Sequence, residues 1–490
     1  MKQIKGSLGI IVVGASGDLA RKKILPALFA IYCQGYFPQD WHLFGFARSE
    51  MTDDEFRQRI TEHLTCRYVP GEACADRMAE FLGRCHYVRG RYDSSDSFLD
   101  LYQAMNGIEG AGPVNRLFYL AIPPQIFFDV AHAIGGAGLV PCGSTTPWAR
   151  VVIEKPFGRD RSSSDELVAS LSLVFRETQT YRIDHYLGKE VIQNLLVLRF
   201  ANRVFEPIWN RHCVERVEIS WKEDLTVDGR GGYFDGYGIV RDVMQNHLVQ
   251  ILSLVAMEPP SRVTAGHICN EKVKLLRQVQ VLAREDLVVG QYGAGTYKGR
   301  AYPAYREDET VPSDSRAATF AAAVLHIDNE RWRGVPFLIR AGKGLDARMT
   351  EIRIHFKPAA AGLFAVDGDD RFANTLVIRV QPDEGIHLST AMKKPGLGMV
   401  VTASQLDLQY HEAFREALIP DAYESLILDV MRGDKSLFIR KDELSTAWNI
   451  FTPVLHGLDD EGVEPEPYAF GTRGPAAADA LAARYDAAWS

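Results

Sequence analysis

The stretch Leu8-Gly9-Ile10-Ile11-Val12-Val13-Gly14-Ala15-Ser16-Gly17-Asp18-Leu19-Ala20 sets the architecture of the amino-terminal part of this chain. Leu8–Val13 reads as a buried strand and the two glycines after it as a tight turn. Ile24, Leu25, Leu28 and Ile31 then recur at helical spacing. Lys2 and Lys5 ahead of the apolar run mimic a secretory signal, but the run breaks at Gly14 and meets Asp18, as a first strand does. The pattern Gly14-x-x-Gly17-x-x-Ala20 departs from the commoner G-x-G-x-x-G, and alone it fits a plain turn as well as a phosphate cradle. Its place between strand and helix favours the cradle, because backbone N–H groups and the positive helix end attract a pyrophosphate. Gly14, Ala15, Ser16, Gly17, Asp18 and Leu19 are therefore candidate coenzyme residues.

The same rhythm continues. His42–Phe46, Leu117–Ala121 and Val151–Ile153 are strand-like, and each is followed by a turn signal and a helical pattern. Repeated βα units imply a parallel, doubly wound sheet. The second strand leads into Ala47-Arg48-Ser49. An acid in this place suits the ribose hydroxyl of NAD, whereas an arginine suits the 2′-phosphate of NADP, so Arg48 predicts NADP, with Glu50 a complication. Lys155, in Glu154-Lys155-Pro156-Phe157-Gly158, falls at the carboxyl end of the sheet, where ligands of such folds bind, and its bond to Pro156 is a candidate for cis.

Beyond residue 183 the pattern changes. A helix is expected from Lys189, and then strands with alternating apolar residues: Val217/Ile219/Trp221, Ile352/Ile354/Phe356 and Leu376/Ile378/Val380. Thr319–Ile327 reads as a more continuous strand, residues 299–316 as a long loop, and Ala476–Ala488 as a terminal helix. Alternation of this kind implies a large, mostly antiparallel sheet with one wet face, packed against helices. The fold class is thus α/β plus α+β: a Rossmann-like dinucleotide-binding domain over 1–183 and an α+β domain over 184–490.

With 490 residues, two domains are the natural division. A net charge of −8 disfavours a nucleic-acid partner, and no stretch approaches the ~20 apolar residues that cross a bilayer. The 7 cysteines (Cys33, Cys66, Cys74, Cys85, Cys142, Cys213, Cys269) are scattered and form no C-x-x-C. That pattern argues against a disulfide framework or a zinc knuckle and for a reducing, cytoplasmic setting.

Residues 182–190, Arg-Ile-Asp-His-Tyr-Leu-Gly-Lys-Glu, gather a carboxylate, an imidazole, a phenol and an ammonium just ahead of a helix. His185 and Lys189 stand four apart near the positive helix end, which suits a phosphate monoester, and Tyr186 adds a hydroxyl donor. In the expected helix Ile239–Met257, the residues Val240, Met244, His247 and Ile251 form one stripe, so His247 lies on the apolar face. A hydrogen-bonded core histidine is the ordinary explanation. Asp242 and Asn246 on the same helix, and Asp184 in the cluster, favour a general base whose far ring nitrogen is held by a carboxylate. Glu223 continues the inward parity of its strand, where a carboxylate needs a partner such as a sugar hydroxyl. Lys343 and Arg348 supply further cations after an apolar strand.

Asp184-His185-Tyr186-Leu187-Gly188-Lys189 resembles the signature of the glucose-6-phosphate dehydrogenase family. The likeness extends over Gly14–Leu25, Ala47–Ser49, Glu154–Gly158, Leu198–Arg211, Gly229–Tyr233, Arg241–Leu248, Asn329–Trp332, Tyr423–Val430 and Arg473–Pro475. It implies oxidation of glucose 6-phosphate by NADP⁺ to 6-phosphogluconolactone, the first step of the oxidative pentose phosphate pathway, by a homodimer or homotetramer paired through the large sheet. It makes His247 the base and Asp184 its orienting carboxylate. His185, Tyr186 and Lys189 would hold the phosphate; Glu223, Asp242 and Lys343 would bind sugar hydroxyls. Lys155 would touch both sugar and nicotinamide, and Arg91 and Tyr92 would lie on the adenine side. Phe127 replaces a tyrosine that can contact coenzyme in relatives. Met349, His387 and Ser389 stand where some relatives hold a second, structural NADP, so none is expected here. A sugar or inositol dehydrogenase of the glucose–fructose oxidoreductase type, and a non-catalytic NADP(H) sensor, are the alternative readings.

Overall fold

Apolar runs too short to cross a domain as helices, each closed by a turn, build the first sheet. In the computed structural model, which describes residues 4–69, 71–110, 112–140, 146–359, 363–367 and 372–489, these runs are β1 (Ser7–Val13), β2 (Trp41–Ala47), β3 (Cys85–Arg89), β4 (Val114–Leu120), β5 (Ala149–Glu154) and β6 (Thr180–Ile183). Their order is β3-β2-β1-β4-β5-β6, and every neighbouring pair is parallel. The chain leaves β1 toward β2 on one side and returns at β4 on the other, which makes a switch point between β1 and β4. Ile10, Ile11, Val12 and Val13 are buried on both faces, as parallel strands between helices must be.

Among the described residues the second sheet has 9 strands, in the order β16-β15-β14-β13-β7-β12-β11-β8-β17. They are β7 (Val214–Lys222), β8 (Leu287–Gly293), β11 (Phe320–Leu325), β12 (Phe337–Gly342), β13 (Met349–Phe356), β14 (Thr375–Gln381), β15 (Gly385–Lys393), β16 (Val401–Gln409) and β17 (Glu466–Ala469). Gly295–Tyr297 and Arg300–Tyr302 (β9 and β10) pair separately as a small hairpin, so the segment expected to be loop contains strand. β12 runs parallel to β7, and β17 to β8; the other pairs are antiparallel.

The expected wet face is partly dry. Between the apolar residues of β7 lie Glu218, Ser220 and Lys222, all buried, beside buried Arg340 and Glu351. Glu218 is met by His355 at 3.0 Å and Arg216 at 3.2 Å, and Lys222 by Asp346 at 3.3 Å. Alternation reported polarity there, and ion pairing rather than water satisfies it.

The chain divides into two compact units. The first is Met1–Gly188 with Arg262–Cys269 and Leu418–Leu444; the second is Lys189–Ser261, Asn270–Ala417 and Ser445–Ser490. Two short segments from late in the sequence thus belong with the amino-terminal sheet, which a reading by contiguous stretches does not anticipate.

Cys66 and Cys74 are joined as a disulfide, against the expectation of free thiols. The turn ahead of the helix Glu72–Gly83 brings their Cα atoms to 5.8 Å, a closeness that scattered spacing in sequence cannot reveal. Cys33, Cys85, Cys213 and Cys269 are free, and Cys142 lies outside the described residues. No described helix is long and apolar enough to cross a membrane.

Candidate active site

In the first unit, Gly14 begins the turn at the switch point with φ +89°. Its N–H donates to Phe46 O at 2.8 Å, and a Cβ there would meet Ala121 O at 2.3 Å, so glycine is required. Gly17 N–H closes the turn on Gly14 O at 2.9 Å. The helix that follows starts with π winding over Ala20–Ile24 and continues as Leu25–Cys33. Asp18 is exposed and paired with Lys22 (3.0 Å) and Arg21 (2.8 Å), which, Lys22 foremost, hold its carboxyl below the usual range.

Arg48 is exposed just past β2, with its guanidinium 5.2 Å from the centre of the buried Tyr92 ring. Ser49 Oγ reaches Ser16 Oγ at 3.2 Å, so the arginine and the glycine turn stand at one rim. Glu50 turns instead to Arg89 at 2.9 Å, while the Arg48 guanidinium bonds Tyr92 and lies within reach of the Asp93 charge. Arg91 pairs with Asp93 at 2.9 Å. Phe127 is fully buried, a core ring at the start of the helix Phe127–Gly136. A small-residue cradle and an exposed arginine at the same rim fit the pyrophosphate and 2′-phosphate of NADP.

At the ends of β5 and β6 lies the rest of this unit's chemistry. Lys155 is half-buried, and its bond to Pro156 is cis. Asp184 is buried; its Oδ1 accepts the Tyr186 N–H at 2.9 Å, which shapes the turn His185–Gly188. Gly188 is there for space: a Cβ would meet the Ala422 carbonyl at 2.5 Å. The His185 ring lies nearly parallel to that of Tyr423, at 6.3 Å and 8°.

In the second unit, Lys189 precedes the helix Glu190–Phe200, and its ammonium donates to Gln381 at 2.9 Å. Glu223 and Lys343 pair at 2.6 Å beyond the ends of β7 and β12, where Glu223 N–H also bonds Gly342 O at 2.9 Å. Arg348 is exposed.

The helix bearing His247 departs from expectation. Val240–Leu248 is wound as a π-helix, and Val249–Ala256 continues it as an α-helix. Residues five apart, about 140° from each other in an α-helix, come close to one face when the backbone bonds span five residues. Asp242 and His247 are such a pair. Asn246 donates to Arg241 O at 2.8 Å, bonding across the same interval. His247 is buried, as the apolar stripe indicated. The far end of the helix is fixed by side chains: Arg199 bonds Leu254 O (2.7 Å) and Met257 O (2.8 Å), Trp209 bonds Val255 O (2.8 Å), and Trp332 bonds Ala256 O (2.8 Å).

Two family profiles match the sequence almost end to end: the NAD binding domain of glucose-6-phosphate dehydrogenase over residues 11–194 and the C-terminal domain of the same enzyme over 196–490. The chain belongs to the glucose-6-phosphate dehydrogenase family. It is 50% identical to the chloroplastic glucose-6-phosphate 1-dehydrogenase of Nicotiana tabacum over 99% of this chain and 82% of that one. With the cytoplasmic glucose-6-phosphate 1-dehydrogenase 5 of Arabidopsis thaliana it shares 46% identity, over 97% and 91%. A solved glucose-6-phosphate dehydrogenase in complex with its substrate superposes with a TM-score of 0.91 at 40% identity, covering 100% of both chains. Neither the sugar-dehydrogenase reading nor the sensor reading gains support from these likenesses.

Two further groups lack a motif of their own: Glu154 stands beside Lys155, and Tyr423 opens a segment similar to the family's. Glu154 is buried; Tyr119 donates to it at 2.6 Å, and Tyr423's phenol faces it. Burial pushes its carboxyl up to about 7, against the stabilising effects of Tyr119, Lys155 and Tyr423. A glutamate closing an apolar strand was the available signal.

Proposed function

We propose that this chain oxidises the C1 hydroxyl of glucose 6-phosphate to 6-phosphogluconolactone with NADP⁺ as hydride acceptor, the first step of the oxidative pentose phosphate pathway. The observation that carries it is the match of both family profiles over nearly the whole chain, with the 182–190 cluster and His247 intact. Bound NADP⁺ supplies the nicotinamide that accepts the hydride. The Gly14–Leu19 turn and Arg48 hold its phosphates, with Tyr92 under the arginine and Arg91 nearby in sequence.

His247 takes the C1 hydroxyl proton, and Asp184 keeps the imidazole in the accepting tautomer and favours the imidazolium that forms. His185, Tyr186 and Lys189 hold the phosphate. Glu223, Lys343 and Asp242 orient the sugar hydroxyls, Arg348 adds positive potential, and Lys155 contacts sugar and nicotinamide. The Glu223–Lys343 pair supports this role, because a preformed acceptor and donor can exchange their mutual bond for sugar hydroxyls. Much of the rate comes from holding C1 in place for transfer.

For assembly, we propose a homodimer or homotetramer paired through the large sheet. Support comes from β15 and β16, where Met392, Leu406 and Leu408 are exposed together with Leu397 and Met399. For location we propose the cytoplasm: among the described residues 4 cysteines carry free thiols and one pair, Cys66 and Cys74, is bonded, and relatives carry both chloroplastic and cytoplasmic names. The deciding experiment follows reduced-nicotinamide absorbance in four pairings, phosphorylated or free glucose with NADP⁺ or NAD⁺. Glucose 6-phosphate with NADP⁺ should give the fastest turnover, and equal rates on free glucose would overturn the assignment.

A further inference from the structure

The carboxyl of Glu154 ends β5 one residue before Lys155. Four groups bear on it: Tyr119 from β4, Tyr423 from the helix Ala422–Arg432, Lys155 beside it, and Asp184 beyond β6. Tyr423 is held firmly from other directions. Its N–H donates to Asp421 at 2.9 Å, and its neighbour Glu424 accepts from Arg67 at 3.0 Å and Tyr68 at 2.5 Å. Its hydroxyl faces Glu154 while its ring lies along His185.

A carboxylate can accept from both phenols at once. A carboxylic acid adds a third O–H donor and is a weaker acceptor, so its hold on the two phenols loosens, and Lys155 loses its adjoining countercharge. We propose that Glu154 is a positioning residue for the reaction: as a carboxylate it steadies Lys155 directly and His185 by way of Tyr423, and one proton on it releases both. This rests on the assignment of Lys155 and His185 to the substrate. The carboxyl titrates at about 7, so the proton arrives within an ordinary working range.

The test pairs infrared titration of the intact protein, without substrate, with KM and kcat for glucose 6-phosphate across pH. A protonated-carboxyl band should vanish as pH rises through about 7 and be missing from Glu154→Gln. Ionisation at that value leaves roughly tenfold less carboxylate at pH 6 than at pH 8, so KM should rise about tenfold on acidification with kcat changed far less. Glu154→Gln should flatten this step. Tyr423→Phe keeps the ring and removes the hydroxyl, so it should move both the band and the KM step to higher pH. The proposal is overturned if Glu154→Gln and the parent share one KM profile, or if Tyr423→Phe leaves band and step in place. A parent that oxidises no glucose 6-phosphate at any pH, whatever its infrared band does, overturns the functional reading and this inference with it.

Discussion

His247 can be separated from the phosphate-holding residues by kinetics. His247→Asn keeps a hydrogen-bonding group of similar size but cannot take a proton, so kcat should fall by roughly two to four orders of magnitude with KM little changed. Lys189→Ala should show the opposite split, a raised KM for glucose 6-phosphate with kcat largely kept. Loss of both parameters together in both variants would mean that the residues support the fold and not the reaction. Glu154 makes a stability prediction with a definite sign. Its folded-state pKa is raised from 4.5 to about 7, so the folded protein binds the proton more tightly than the unfolded chain. The resulting stabilisation is complete below about 4.5 and is lost as pH climbs to about 7; the shift corresponds to roughly 3 kcal/mol. Glutamine cannot ionise, so the unfolding midpoint of Glu154→Gln relative to the parent should rise between these limits. A difference that stays constant across them would show that the carboxyl is not held neutral. His247, Asp184 and Lys189 were legible as candidates because their residue types are costly in an apolar stripe or a tight cluster. Tyr423 was not, since a tyrosine on an amphipathic helix has an ordinary explanation and its partners lie far away in sequence.

Elements were legible where pattern and local sterics agree. β1, its glycine turn and the following helix follow from the apolar run and the two glycines, and the alternation in β7, β13 and β14 follows from strand geometry. The π winding of Val240–Leu248 was not, because apolar spacing cannot distinguish a slightly wider helix over two turns, and that winding is what brings Asp242 and His247 toward one side. The buried charges of β7 show the same limit: alternation tells polar from apolar but not wet from ion-paired. The Cys66–Cys74 link closes a loop that contains Arg67 and Tyr68, the two residues that hold Glu424. Closing a loop of sequence separation 8 stabilises by about 2 to 3 kcal/mol on chain entropy. Cys74→Ser should therefore lower the unfolding midpoint under oxidising conditions and make no difference once a thiol reductant is present. An equal deficit in both conditions would assign the effect to packing of Cys74 instead.

For the whole molecule, the division into a parallel-sheet unit and a large mixed-sheet unit could be anticipated from the change of rhythm near residue 183. Membership of each unit could not, because the later segments of the first unit carry no βα pattern of their own. Assembly is where composition and structure meet: a chain of net charge −8 still leaves Met392, Leu406 and Leu408 open to water on β15 and β16. In the proposed pairing through the large sheet, Leu406→Lys would place a charge between the two sheets, so light scattering should report protomers of half the parent mass or less. An unchanged mass would move the interface elsewhere.

The composition of the first unit also orders events during synthesis. Its helix Ala422–Arg432 supplies Tyr423 and Glu424, residues that the ribosome adds long after β6 is complete. Nascent chains released at Gly188 should accordingly remain protease-sensitive, and a soluble coenzyme-binding fragment should need Leu418–Leu444 appended by a linker. The order of synthesis thus separates the parallel sheet of the first unit from the helix that completes it.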